Sequence, residues 1–277
     1  MLLGNKNAII YGAGGSIGGA VAKEVAREGA SVFLTGRNRE NLETVAKEIT
    51  AAGGTGEVAV LDALDEQAVE EHARVVATQA GSIDVSFNLI TRVDVQGFPL
   101  IEMTVADLVR PITNGVTTNF LTARATARRM VQQGSDVILA LIKGSASGSP
   151  MMGGTGPADA ATDTFVRNLA AEVGSQGVRV LGIWTAGLPE TLSPETLAAV
   201  DSKFQDEAAF QALIENLDRI RMTRRSPRLA EVATTAAFLA SERAGAINGT
   251  FANVTSGKFP NYMTSASMTT QRQEKAA

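Results

Sequence analysis

Short apolar runs alternate with longer amphipathic stretches from residue 8 to residue 254. The apolar runs fall at 8–11, 31–35, 58–61, 83–90, 136–142, 178–184 and 250–254. Nearly uninterrupted runs of this length suit strands buried on both faces. Between them, residues 17–28, 39–52, 65–80, 104–132, 157–174, 194–220 and 229–241 carry apolar positions at helical spacing, as with Val21 and Val25. Pro111 marks a break or a first turn in the fourth of these. Such alternation, with no linker and no repeat, predicts a single α/β domain. Its core would be a doubly wound parallel sheet with helices on both faces. The domain is expected over 1–257, followed by a small, polar tail over 258–277.

Composition narrows the partners. The net charge of −4 gives no reason to expect nucleic acid or an anionic membrane surface. The chain has no cysteine, which excludes disulfides, thiolate chemistry and cysteine-ligated metal. The single histidine, His72, sits among Glu70, Glu71 and Arg74 and is expected on the surface. It has no histidine partner for a metal, so none is expected. The first residues, Met1-Leu2-Leu3-Gly4-Asn5-Lys6, lack the basic start and apolar stretch of a signal peptide. No run is long enough to span a bilayer. A cytoplasmic protein is the expectation.

The first strand runs into Gly12-Ala13-Gly14-Gly15-Ser16-Ile17-Gly18-Gly19, which opens the first helix. Glycines let the backbone turn tightly and approach a pyrophosphate, and the N–H groups of the helix start then face the anion. Ile17 stands where the third glycine of the usual dinucleotide fingerprint would fall. The position between strand and helix is what makes the turn informative, and it points to a Rossmann sheet. A turn that merely packs a helix on a strand is the alternative. The second strand ends Thr35-Gly36-Arg37-Asn38. An acidic residue there would hold the ribose hydroxyls of NAD. Arg37 instead suits the extra phosphate of NADP, or is a solvated arginine. Asp62 ends the third strand, where it could accept a hydrogen bond from the adenine amino group, cap the following helix, or both.

These residues resemble the short-chain dehydrogenase/reductase family, and the likeness runs from Ala8 to about Gly257. Gly12 to Gly18 looks like the family's cofactor motif, with Ser16 replacing its middle glycine. Asp62, followed by Ala63, matches its adenine-contacting aspartate. Asn88 is the survivor of an Asn-Asn-Ala-Gly strand end, replaced beyond it by Leu89, Ile90 and Thr91. Ala186-Gly187 stands for a Pro-Gly, and Thr191 has the spacing of a carboxamide contact. Glu231-Val232-Ala233, Phe238-Leu239-Ala240-Ser241 and Ile247-Asn248-Gly249-Thr250 are similar to the closing helix and strand. The resemblance implies NADP binding through Gly12, Gly14, Gly15, Ser16, Ile17, Gly18, Arg37, Asp62, Ala63, Asn88, Gly187 and Thr191.

It also implies a mechanism this chain departs from. The family's tyrosine handles the substrate proton, a lysine one turn later lowers its pKa, a serine orients the carbonyl, and an asparagine completes a relay. The tyrosine position falls on Thr155, the lysine on Asp159, the serine on Ile142 and the asparagine on Gly115, with Asn114 and Asn119 nearby. Neither Tyr11 nor Tyr262 stands four residues before a lysine. A threonine hydroxyl is too weak an acid to replace a phenol unaided. Asp159 reverses the local charge and would disfavour an oxyanion, although it could accept from ribose hydroxyls. Lys143, Ser145 and Ser147 follow the fifth strand and line the site, or form an exposed loop. The catalytic candidates are therefore Thr155, Asp159, Lys143 and Ser145.

Three functions stay open. One is an NADPH-dependent reductase of an activated C=C, C=N or C=O bond that needs little acid help. Another is an inactive NADP-binding or scaffold subunit. The last is a non-redox enzyme on the same fold. Residues 188–223 are expected to cover the substrate cleft, with Ala198, Phe204, Phe210, Leu213 and Leu217 burying one face. Arg219, Arg221, Arg224, Arg225 and Arg228 form either a salt-bridged face or a trap for an acidic substrate or thioester carrier. Met151 and Met152 offer an adaptable apolar wall or simple core packing. The resemblance implies a homodimer or homotetramer built on the helices over 104–130 and 157–174.

Overall fold

The computed structural model describes residues 1–143, 148, 150–198 and 205–257. The strands are β1 (Asn7–Tyr11), β2 (Ser31–Gly36), β3 (Thr55–Val60), β4 (Val85–Asn88), β5 (Asp136–Ile142), β6 (Val178–Thr185) and β7 (Phe251–Val254). The helices are α1 (Ser16–Arg27), α2 (Arg39–Ala51), α3 (Glu66–Ala80), α4 (Val105–Gln133), α5 (Thr155–Val173), α6 (Pro194–Ala198), α7 (Glu207–Arg219) and α8 (Leu229–Ala240). The strands form one parallel sheet in the order β3-β2-β1-β4-β5-β6-β7. The chain reverses its winding between β1 and β4, where Tyr11 pairs with Asn88. A crevice opens at the carboxyl ends of strands that part in this way.

Alternation along each strand sends side chains to opposite faces. Ile10, Leu34, Phe87, Leu139 and Leu181 pack with α1, α2 and α8, through Val21, Leu42 and Ala236 among others. Ile9, Phe33, Ile138 and Val180 pack with α3, α4 and α5, through Val69, Met130 and Val166. The two apolar layers explain the doubly wound sheet expected from the pattern.

Several expected boundaries move. β3 starts at Thr55, earlier than its apolar run, because an edge strand needs only the backbone ladder that pairs Thr55 with Ser31 and Gly56 with Val32. Pro111 neither breaks nor opens α4. The helix starts at Val105, capped by Thr104, whose hydroxyl accepts from the Asp107 N–H, and runs through the buried proline. Packing against α5 outweighs the bond Pro111 cannot make. Within 194–220 the described residues include α6 and α7, and α7 begins at its own cap, where Asp206 accepts from the Ala208 N–H at 2.9 Å. Phe210, Leu213 and Leu217 are half-buried rather than core. Phe204, Ser145, Ser147, Tyr262 and the expected polar tail lie outside the described residues.

Candidate active site

Two adjoining cavities occupy the crevice, about 240 and 330 Å³ in volume. Gly15, Leu89, Ile90 and Thr91 border both, so they form one continuous cleft. The larger cavity is lined by Gly12, Gly14, Arg37, Asp62 and Ala63, and the smaller by Ser16, Ile17, Gly18, Asn88, Lys143 and Thr191. Most of the residues matched to a dinucleotide site therefore share this cleft. Gly187 does not line it. With φ of +59°, it sits against Arg221, whose Nη2 would lie 2.4 Å from an added Cβ.

The glycine turn is close-built from backbone. Gly12 has φ of +83°, and a Cβ there would lie 2.7 Å from the Leu89 carbonyl oxygen. A Cβ on Gly18 would lie 2.1 Å from the Gly12 carbonyl oxygen. The turn thus brings the start of α1 to the cleft floor, as a pyrophosphate requires. Asn88 ends β4 with its Oδ1 accepting from the Ile90 N–H at 3.0 Å, while its buried Nδ2 has no partner among the described residues. A buried amide donor left unpaired at a cleft wall fits a bound polar group. Both observations fit a dinucleotide. Asp62 caps only a local turn, through the Leu64 N–H at 3.0 Å. The cap of α3 is Asp65, which accepts from the Ala68 N–H at 3.0 Å. Asp62 is left exposed at the larger cavity, and Arg37 has no ion-pair partner among the described residues.

The other end of the cleft is built from charges. Asp159 is fully buried, and its Oδ1 accepts from Arg92 Nη1 at 2.6 Å. Its Oδ2 accepts from the Lys143 backbone N–H at 3.0 Å. Asp94 accepts from Lys143 Nζ at 2.6 Å through Oδ2 and from the Thr155 hydroxyl at 2.8 Å through Oδ1. Gln96 Nε2 donates to Thr155 Oγ1 at 2.9 Å. Arg92 also lies 3.7 Å from Asp94. Burial would push the Asp94 carboxyl up, but the charges of Lys143 and Arg92 and the hydrogen bonds from Lys143 and Thr155 hold it below the ordinary carboxylate range.

This network corrects the sequence expectation for Asp159. Its charge is not presented to a reacting oxygen. It is neutralised by Arg92. Thr155 and Asp159 both lie at zero exposure, and neither lines the cleft. Asp159 is thus withdrawn from ribose hydroxyls as well. Gly115 acquires a reason: a Cβ there would lie 2.7 Å from Arg92 Cδ. Ile142 is buried on the α5 side of the sheet, while Leu141 and Lys143 reach the cleft. Asn119 lines the smaller cavity and Asn114 the larger.

Arg92, Asp94 and Gln96 escaped the sequence reading. The available signal was two opposite charges straddling Val93, a few residues after β4 ends at Asn88. Val93 adopts φ of +60°, a left-handed conformation that is strained for a β-branched residue and appears where surrounding structure over-determines it. The strain falls between the two side chains that turn inward.

Other expectations resolve differently. His72 is half-buried, its ring 6.5 Å edge-on from that of Tyr11, and burial pushes its pKa down to about 4. The arginine group is not one free basic patch. Arg225 pairs with Glu231, Arg228 lies 4.0 Å from Glu190, and Arg221 is buried with Nη2 donating to the Ala186 carbonyl at 3.0 Å. Neither Met151 nor Met152 lines the cleft.

Comparison with known proteins gives concordant results. A family profile described as "Enoyl-(Acyl carrier protein) reductase" matches residues 12–258. An L-rhamnose 1-dehydrogenase (NAD(P)(+)) of Azotobacter vinelandii is 29% identical over 272 residues, 94% of this chain and 99% of that protein. A gluconate 5-dehydrogenase of Gluconobacter oxydans is 30% identical over 208 residues, 74% of this chain and 78% of its own length. The solved structure of a 7α-hydroxysteroid dehydrogenase complexed with NADH and 7-oxo glycochenodeoxycholic acid superposes with a TM-score of 0.78 at 26% identity, covering 94% of this chain and 96% of the other.

Proposed function

Because this chain belongs to the short-chain dehydrogenase/reductase family of oxidoreductases, we propose that it binds NADP(H) and reduces an activated C=C, C=N or C=O bond of a small molecule through a non-standard site. The observation that carries this reading is the unbroken cleft from Arg37, past the glycine turn, to Lys143. A bound nicotinamide dinucleotide supplies or takes a hydride. The chain's own work is to hold it and to place the acceptor. The start of α1 holds the pyrophosphate, Asp62 and Ala63 meet the adenine, and Asn88 and Thr191 bracket the nicotinamide half. Arg37 meets the 2′-phosphate as a charge-assisted donor. The family profile, described by a C=C reduction, supports an activated double bond.

A second reading, an NADP-binding subunit without turnover, is favoured by one observation. The residues at the tyrosine and lysine positions are sealed inside the fold. Assembly as a homodimer or homotetramer through α4 and α5 belongs to either reading. Phe120 there is exposed and stacks edge-on with Phe165 at 6.4 Å, under the Arg124 guanidinium.

Titration with NADPH and NADH, followed by turnover on enones, imines and quinones, tests the proposal. Arg37→Ala is expected to weaken NADPH about 10- to 100-fold, as for loss of a charged hydrogen bond of 1.5–3 kcal/mol, and to leave NADH affinity alone. Binding of neither nucleotide overturns both readings. Equal affinity for both, unmoved by the substitution, overturns the phosphate assignment. Tight binding without turnover selects the second reading.

A further inference from the structure

We propose that Lys143 is the residue that meets the substrate's carbonyl oxygen, and that Arg92, Asp94, Asp159 and Thr155 are positioning residues that hold it there. The inference deepens the reductase reading of this cleft and rests on it.

Lys143 is held at both ends. Its backbone N–H is tied to Asp159, and its ammonium to Asp94. An ammonium has three N–H bonds, so the one given to Asp94 leaves two for the cavity it borders. Its side chain is 42% exposed, whereas that of Asp94 is 5% exposed. The pair therefore presents its cation outward and keeps its anion behind.

The alternatives along the wall fail chemically. Ser16, Thr91 and Thr191 carry hydroxyls, which are weak acids, and the Asn88 amide can donate a hydrogen bond but not give up a proton. Asn119 gives its amide to the Gly115 carbonyl at 2.8 Å. Arg92 is 6% exposed, commits Nη1 to Asp159, and cannot release a proton. Among the described residues lining the smaller cavity, Lys143 alone both faces the space and can give a proton.

The departures from the family pattern then serve one purpose. Gly115 leaves room for Arg92, and Asp159 anchors it while fixing the Lys143 backbone. Thr155 orients Asp94, and Gln96 orients Thr155. With a reduced dinucleotide held in the cleft, the electron-poor carbon of a conjugated carbonyl compound would take a hydride with its electron pair. The displaced π electrons move to the carbonyl oxygen. That oxygen takes a proton from Lys143 Nζ, giving an enol and a neutral amine. Water returns a proton to the amine, and the enol rearranges to the saturated carbonyl compound. The substrate is reduced, the dinucleotide oxidised, and one solvent proton is consumed.

The test uses the full-length protein, NADPH and cyclohexenone among a panel of conjugated ketones and aldehydes. Benzoate serves as a stable oxyanion stand-in, read by thermal shift of the NADP-loaded protein. Lys143→Met is expected to lower kcat about 100- to 1,000-fold, as when one oxyanion donor is lost, and to abolish the benzoate shift. NADPH affinity, read by fluorescence, should stay within about threefold of wild type. Lys143→Arg should keep the benzoate shift. Asp94→Asn should lower kcat without weakening NADPH, and Asp94→Glu should restore part of the loss. An active wild type whose Lys143→Met form keeps its kcat and its benzoate shift overturns this inference and leaves the reductase reading standing. A wild type that binds NADPH and reduces nothing overturns that reading, and this inference with it.

Discussion

The two ends of the cleft are built from different materials. At the glycine turn the walls are backbone: Gly12 and Gly18 approach until no Cβ fits, and the donors are peptide N–H groups. At the ends of β4 and β5 the walls are side chains, and four charges from Arg92, Asp94, Lys143 and Asp159 are tied together. Backbone geometry leaves little freedom for substitution. A charge network can be rewired if every member changes together, since a buried charge needs a partner but not a particular one. That difference leaves the charged end freer to change than the glycine turn.

Substitutions at the two ends should therefore fail differently. Gly18→Ala forces a Cβ into the Gly12 carbonyl, and nothing nearby can be changed to absorb it. We expect a loss of about 4 kcal/mol or more, at the upper end for single substitutions, with NADPH binding abolished. Chemical denaturation and titration read both, and a stable, binding Gly18→Ala protein would break the contrast. Arg92→Met takes the cation from the buried carboxylate of Asp159 and should destabilise by about 3–5 kcal/mol. Unlike the glycine change, it should be rescued by a second one. Adding Asp159→Leu is expected to recover more than half of the loss in a double-mutant cycle, and strict additivity would show that the pair does not act as one unit.

Smaller effects sharpen the picture. Val93→Gly removes left-handed strain worth about 1–2 kcal/mol and adds back unfolded-state entropy. A net gain of roughly 0.5 kcal/mol is expected from those opposing terms, read as a raised denaturation midpoint, together with reduced turnover as Arg92 and Asp94 loosen. A destabilised Val93→Gly protein would mean that the strain is not there to relieve.

The smallest effect belongs at the opposite end of the sheet. Burial raises the Asp136 carboxyl from 3.8 to about 6. A folded-state pKa above the unfolded one favours folding most below about pH 4, and that contribution is lost as pH rises through 6. Asp136→Asn should therefore raise the melting temperature slightly at pH 7.5 relative to wild type, and less at pH 4. Turnover should not change. An equal shift at both pH values would show that the charge of Asp136 is not what matters.

Much of this organisation was legible in the chain. The seven apolar runs became seven parallel strands because period and length alone separate buried strands from helices. That the glycine turn, Arg37 and Asp62 would lie together at the cleft was legible because each stands at the end of a strand. Gly187 was misplaced because its neighbour across the fold, Arg221, was invisible from its own segment. Asp159 was read as a charge facing a reacting oxygen for the same reason: its partner lies 67 residues away in a loop with no motif.

Sequence alone determined the layers, the winding of the sheet and the turn that opens α1. Those follow from hydrophobic period and from the backbone freedom of glycine, which are properties of short segments. Only the tertiary structure decided where charge resides at the far end of the cleft. Ion pairing there joins β4, β5 and α5 through space, and the sign seen by a bound molecule is the sum over partners that no local window contains.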